Sequence, residues 1–265
     1  MALESSPAPE FYPETMTIFV TGATAGFGRA IALRFAQDGA KIVGTGRREG
    51  RLHELKRELG SNFFPLAFDI GKRTEVEQAI ASLPEEFARV DVLVNNAGGA
   101  IGLDPTWKAE LDDWDAMIDA NVKGLVYCTR LLLPGMVERN RGHIINMGST
   151  AGEWPYPGGN VYGGTKAFVH QFSYNLRSDL TGTAVRVTDI QPGLVGGTEF
   201  SDVRFKGDKQ KAASVYAGTE ALTEDDIADA VHWVATRPAR VNINVIQLMP
   251  VCQSFGSLVV SREKQ

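Results

Sequence analysis

Residues 17–28 read TIFVTGATAGFG, and this stretch decides the fold. Residues 17–21 form a short apolar and β-branched run, and Gly22, Gly26 and Gly28 follow it closely. Such a run predicts a buried strand that turns on glycine into a helix. A turn without Cβ atoms lets the backbone N–H groups of Thr24, Ala25, Gly26 and Phe27 approach a pyrophosphate. The helix N-terminus adds positive partial charge there. No Lys-Ser/Thr pair closes the turn, so it is not a triphosphate-binding P-loop.

Outward from this turn the same alternation continues. Further strands are predicted at 41–45, 63–68, 91–94, 143–147, 184–190 and 244–248, with Pro65 interrupting the third. Helical periodicity covers 30–37, a charged stretch through Leu59, then 76–83, 114–138 and 161–180, with Pro134 a point of kinking. Strands alternating with helices imply right-handed βαβ units, with helices on both faces of a parallel sheet. The fold class is therefore α/β, a Rossmann-type doubly wound parallel sheet of seven strands in a single domain. That domain is expected over 17–265, after an N-terminal extension at 1–16. Residues 193–219 are the least regular part and are expected to form a substrate loop.

Composition narrows the partners. The 265 residues carry a net charge of −5, with 43% hydrophobic and 22% charged residues, as a globular chain does. A mildly acidic chain gains nothing from the nucleic-acid backbone. Cys128 and Cys252 form neither a disulfide framework nor a metal-ligand spacing, so no metal is expected. The N-terminus lacks the basic and apolar regions of a signal peptide, and no apolar run reaches membrane-spanning length. A cytoplasmic protein acting on small molecules, without nucleic acid or membrane, is the expectation.

The end of the second strand selects the dinucleotide. NAD binding favours an acidic residue there, to accept from the ribose 2′-OH. Here residues 45–48 read TGRR, and Arg47 and Arg48 would clamp a 2′-phosphate, so NADP(H) is the expected cofactor. Asp69 and Ile70 end the third strand, beside the expected adenine. Asp69 suits either the adenine amino group or a turn.

Tyr162 and Lys166 stand four apart on a predicted helix, hence on one face. A phenol titrates near 10, and bringing it to about 7 takes roughly 4 kcal/mol of differential stabilisation. A nearby ammonium and an oxidised nicotinamide both favour the phenolate. Ser149 follows the fifth strand, where open α/β sheets bind ligands, and suits a substrate oxygen. His143 and His170 are read as structural or solvated rather than as general bases.

Together these residues carry a resemblance. Thr21-Gly22, Gly26 and Gly28, the NNAG run at 95–98, Asn121, Ser149, Tyr162 and Lys166 occur in the order of the short-chain dehydrogenase/reductase family. The chain resembles that family from about residue 17 to 251. The resemblance implies Tyr162 as acid/base, with Lys166 lowering its pKa and holding the nicotinamide ribose. It also implies Ser149 orienting substrate and Asn121 supporting a proton relay through water. Asn95, Ala97 and Gly98 would then pack against the adenine ribose and stabilise the sheet centre, and Pro192, Gly193 and Val195 would lie against the carboxamide. Thr198 would join the cofactor contacts, although Gly196 and Gly197 displace it from the family's usual spacing. A homotetramer built on helices of the type 114–138 and 160–180 is likewise implied.

A narrower resemblance lies in GATAGFG (22–28), LPGMVERN (133–140), HIINMGSTAG (143–152) and AVRVTDIQPGLVGGTEFS (184–201). These are similar to NADP-dependent 3-hydroxy acid dehydrogenases. The implied substrates are serine, L-allo-threonine and the pair 3-hydroxypropionate/malonic semialdehyde. A relative of that group reducing sulfoacetaldehyde to isethionate is the alternative. Such acids need an anion anchor, for which Arg204 is the candidate, helped by Tyr156, Asn160 or Gln253. An ion pair of Arg204 with Asp202 or Asp208 is the competing reading. A non-catalytic NADP(H) sensor and a Rossmann-like methyltransferase are the readings from other classes.

Overall fold

The computed structural model describes residues 12–256. Residues 1–11 of the expected N-terminal extension, and residues 257–265, lie outside the described residues. The chain opens with β1 (Thr17–Val20) and α1 (Gly26–Gln37), then β2 (Lys41–Gly46) and α2 (Glu49–Leu59). Next come β3 (Phe63–Ala67), α3 (Arg73–Ala81), the single turn α4 (Glu85–Ala88) and β4 (Val92–Asn95). Then follow α5 (Leu111–Ile118), α6 (Leu125–Glu138), β5 (Gly142–Met147), α7 (Asn160–Asp179) and β6 (Val185–Pro192). The last elements are α8 (Phe200–Arg204), α9 (Lys209–Ser214), α10 (Glu224–Ala235) and β7 (Val245–Leu248).

All seven strands pair in parallel, in the order β3-β2-β1-β4-β5-β6-β7. Every residue of β1, β4, β5 and β6 is buried, as expected of strands covered on both faces. Successive β1 side chains feed opposite layers. Ile18 and Val20 join Ile31, Phe35 and Val231, whereas Phe19 joins Cys128, Met136 and Leu176. The strand order reverses between β1 and β4, so the loops leaving their carboxyl ends diverge and open a crevice.

Three local expectations are corrected. The helix expected over 114–138 is α5, a π-helical turn at Asp119–Gly124, and α6, which runs on through Pro134. A π turn adds a residue to the helical circuit and re-aims its side chains, and Asn121 sits in it. β3 is not broken at Pro65, because an edge strand tolerates a missing N–H. Within residues 193–219, α8 and α9 replace an irregular loop, and α10 is an element the periodicity reading omits. No helix of the described residues is long and apolar enough to cross a membrane.

Candidate active site at the strand ends

A cleft of about 1100 Å³ lies over the carboxyl ends of β1, β2, β4, β5 and β6. Its floor is the turn after β1. Gly22 has φ +70°, and a Cβ there would stand 3.0 Å from Ala97 Cα. Gly28 faces inward, where a Cβ would meet Gly22 O at 2.2 Å, so this glycine lets α1 sit on the turn rather than lining the cleft. The Thr21 hydroxyl accepts from the N–H groups of Asn96 and Ala97 at 2.9 Å each, which ties the end of β4 to the turn. Ala25 begins α1 without a side-chain cap, so the first-turn N–H groups have no side-chain acceptor of its making. A glycine cradle beneath an uncapped helix start fits a pyrophosphate.

The NNAG run divides by role. Ala97 and Gly98 line the cleft, but Asn95 points into the sheet. Its amide donates to Thr129 Oγ1 at 2.9 Å and Asn146 Oδ1 at 2.8 Å, pinning the sheet centre. Asp69 and Ile70 line the cleft. Asp69 also makes the turn, accepting from Gly71 N at 3.0 Å.

Arg47 and Arg48 both line the cleft, yet they differ. Arg48 donates through Nε and Nη2 to Thr24 Oγ1 at 3.1 and 2.8 Å, which fixes its fork beside the glycine turn. Its Nη1 meets Glu199 at 2.7 Å, and Arg51 Nη1 meets the other oxygen of Glu199 at 2.8 Å. Arg51 lies in the first turn of α2, three residues after Arg48, which precedes the helix, and the TGRR run alone does not single it out. No local pattern in the sequence points to Glu199, a partner 151 residues from Arg48.

Tyr162 and Lys166 project from α7, each 8% exposed. Burial pushes the Tyr162 phenol up to about 12, while a hydrogen bond with Ser149 and the Arg204 charge lower it. Burial pulls the Lys166 ammonium down to about 8, opposed by the Asp189 carboxylate. Lys166 Nζ donates to Met147 O at 2.7 Å and lies 5.8 Å from the Tyr162 ring centre. Ser149 and Arg204 thus act against the burial of the phenol, with the Lys166 ammonium one helical turn from it. Ser149 is in extended backbone just after β5, and its hydroxyl accepts from Ala151 N at 3.1 Å.

Asn121 is buried behind this pair rather than lining the cleft. Its amide donates to Gly99 O at 3.0 Å and Thr165 Oγ1 at 2.9 Å, and its carbonyl accepts from Gly99 N at 2.8 Å. Of the histidines, His143 lies 2.8 Å from Thr188 Oγ1 and His170 lies 2.9 Å from Asp189. Neither lines the cleft.

Arg204, on α8, reaches over the same tyrosine. Its Nη2 donates to Tyr156 Oη at 2.7 Å, and its guanidinium carbon is 5.8 Å from the Tyr162 ring centre. Its buried Nε has no partner, and among the described residues Arg204 has no carboxylate within salt-bridge distance. The ion pair with Asp202 or Asp208 is thus not formed; Asp208 pairs with Lys211 at 3.4 Å. Asn160 is a correction. It lies off the cleft, donating to Asp104 O at 3.1 Å and accepting from Val161 N at 2.7 Å. Gln253 is engaged by Leu194 N at 2.7 Å. Pro192, Gly193, Val195 and Thr198 close the cleft opposite, and Thr198 lies 3.5 Å from where a Cβ of Gly26 would be.

Known proteins bear on this geometry. The family model described as short chain dehydrogenase matches residues 16–209. An NADP-dependent 3-hydroxy acid dehydrogenase of Salmonella typhi is 64% identical over 247 residues, covering 93% of this chain and 100% of that protein. A serine 3-dehydrogenase of Rhizobium radiobacter is 51% identical, covering 93% of this chain and 98% of that protein. A solved closed form of serine dehydrogenase complexed with NADP+ superposes with a TM-score of 0.92 at 62% identity, covering 94% of this chain and all of that one. With a parallel seven-stranded sheet, a glycine turn after β1 and Ser149, Tyr162 and Lys166 around one cleft, this chain belongs to the short-chain dehydrogenase family.

Proposed function

We propose that this chain moves a hydride between NADP(H) and a small 3-hydroxy acid or its semialdehyde, with Tyr162 as the acid/base. It is an NADP-dependent oxidoreductase acting on CH–OH groups. The observation that carries the acid specificity is Arg204, whose buried Nε has no partner beside Tyr156 and Tyr162. An unpaired buried guanidinium donor is costly unless an anion takes it, and a carboxylate fits its fork.

Bound NADP(H) supplies the hydride acceptor or donor. The turn at Gly22, Thr24, Ala25, Gly26 and Phe27 would hold the pyrophosphate. Arg47, Arg48 and Arg51 would hold the 2′-phosphate, with Asp69, Ile70, Ala97 and Gly98 around the adenosine. Lys166 would hold the nicotinamide ribose, with Pro192, Gly193, Val195 and Thr198 at the carboxamide end. In oxidation, Ser149 Oγ and Tyr162 Oη hold the substrate hydroxyl, and Tyr162 takes its proton. In reduction Tyr162 returns the proton to the carbonyl oxygen. Arg204 and Tyr156 hold the carboxylate, which fixes the reacting carbon relative to Tyr162. Asn121 fixes the α7 backbone through Thr165, beside the pair it would serve in proton relay.

Residues 193–219, with α8 and α9, form the proposed substrate lid. A homotetramer is proposed through α6 and α7, where Leu131, Val137, Phe168 and Tyr174 stay exposed. A cytoplasmic location accords with free Cys128 and Cys252.

The test is reduced-nicotinamide absorbance with NADP and serine, L-allo-threonine or 3-hydroxypropionate, with isethionate alongside. Turnover of the hydroxy acids is expected. Turnover of isethionate alone would favour the sulfonate, and NADPH binding without turnover of any of them would favour a sensor.

A further inference from the structure

The Glu199 carboxylate spans two arginines on the cofactor side of the cleft. Its two oxygens accept from Arg48 at 2.7 Å and Arg51 at 2.8 Å, so each oxygen takes one guanidinium. Arg48 is at the same time fixed to Thr24 of the glycine turn. Glu199 immediately precedes α8, but its side chain does not cap that helix. Its side chain turns instead to Arg51 of α2 and to Arg48, the residue before that helix. Five residues further on, the same short helix ends in Arg204, which donates to Tyr156 Oη.

We propose that Glu199 is an internal stand-in for the 2′-phosphate, a latch that contends with NADP(H) for Arg48 and Arg51 and so ties cofactor choice to the position of α8. The inference rests on the reading of those arginines as the phosphate seat. A phosphate and a carboxylate seek the same guanidinium donors, and two anions in one seat repel each other. A 2′-phosphate therefore frees Glu199, and α8 is released from its tie to α2. NAD has no such phosphate and leaves the latch in place. The apparent affinity for a 2′-phosphate is reduced by the fraction of seats that Glu199 holds. The pair is about half exposed, with side-chain exposures of 44% and 45% for the arginines and 42% for Glu199, so the penalty is modest.

The test uses adenosine 2′-phosphate and adenosine 5′-phosphate as probes, titrated calorimetrically into the full chain and its Glu199→Gln variant. Glu199→Gln is expected to bind the 2′-phosphate about three- to tenfold more tightly, with 5′-phosphate affinity unchanged. In the wild type, adenosine 2′-phosphate should also raise amide hydrogen exchange at residues 200–204, and in the variant it should not. Unchanged or weaker 2′-phosphate binding, or equal tightening for both probes, would overturn the latch. If the wild type bound both probes equally, the arginine seat itself would fall and the latch with it. Glu199→Ala repeats the titration without the amide, so a folding defect particular to one variant does not decide the outcome.

Discussion

Arg204 Nη2 donates to Tyr156 Oη at 2.7 Å, and the pair closes over the ring of Tyr162. The contact holds one face of the guanidinium and leaves its Nε without a partner. If a substrate carboxylate takes that donor, Arg204→Ala should raise KM for serine or 3-hydroxypropionate by about 10- to 100-fold, the range for a lost charged hydrogen bond. The NADP dissociation constant should stay within about twofold. Arg204→Lys should recover only part of the loss, because an ammonium cannot form the fork. Unchanged KM in steady-state assays would place the anchor elsewhere.

Tyr162→Phe removes one oxygen from the centre of the site and leaves the ring packed edge-on at 5.9 Å from Phe200. Losing general acid/base transfer should cost kcat about 10²–10⁴-fold. NADPH binding, followed by its fluorescence, should be nearly intact, since the substitution leaves the turn after β1, the proposed pyrophosphate seat, untouched. A kcat above a few per cent of wild type would contradict the assigned role.

Ser149 acts on Tyr162 through the sign of its hydrogen bond. That bond lowers the phenol pKa against the burial that raises it to about 12. Ser149→Ala removes a contact that favours the ionised form, so the phenol pKa rises. The rising limb of kcat/KM against pH for hydroxy acid oxidation should then move to higher pH, in addition to a fall in kcat. A profile that keeps its limb while losing amplitude would mean that Ser149 only orients substrate.

What could be read before folding followed from how each feature is encoded. A parallel strand buried on both faces is written contiguously, which is why 17–21 and 143–147 were legible. Tyr162 and Lys166 were legible because one helical turn joins them. Arg48 was legible as a cation at the end of β2, but its tie to Glu199 was not, since the two meet only where the start of α2 approaches the loop after β6. The π turn at Asp119–Gly124 has no period of its own, so residues 114–138 read as a single helix. α10 did carry a local signal: Thr223 and Asp226 form a capping box, with Thr223 N to Asp226 Oδ2 at 2.7 Å. Asn160 was misplaced because position on a helix next to Tyr162 does not say which way the side chain leaves the backbone.

His143 offers a stability test separate from the chemistry. It is fully buried between β4 and β6, with Thr188 Oγ1 at 2.8 Å. Burial, and then the Arg186 charge, hold its pKa well below 6.5. The unfolded chain therefore takes up a proton at this imidazole as pH falls below 6.5, while the folded chain does not. Folding stability attributable to His143 is complete above that pH and declines below it, by about 1.4 kcal/mol per pH unit at full effect. His143→Gln cannot titrate and can still reach Thr188. Thermal or urea unfolding of the variant should fall less steeply than wild type from pH 6.5 to 5, although the variant is the less stable protein at pH 8. Parallel stability curves for the two proteins across that range would show that His143 is protonated in the folded state as readily as in the unfolded one.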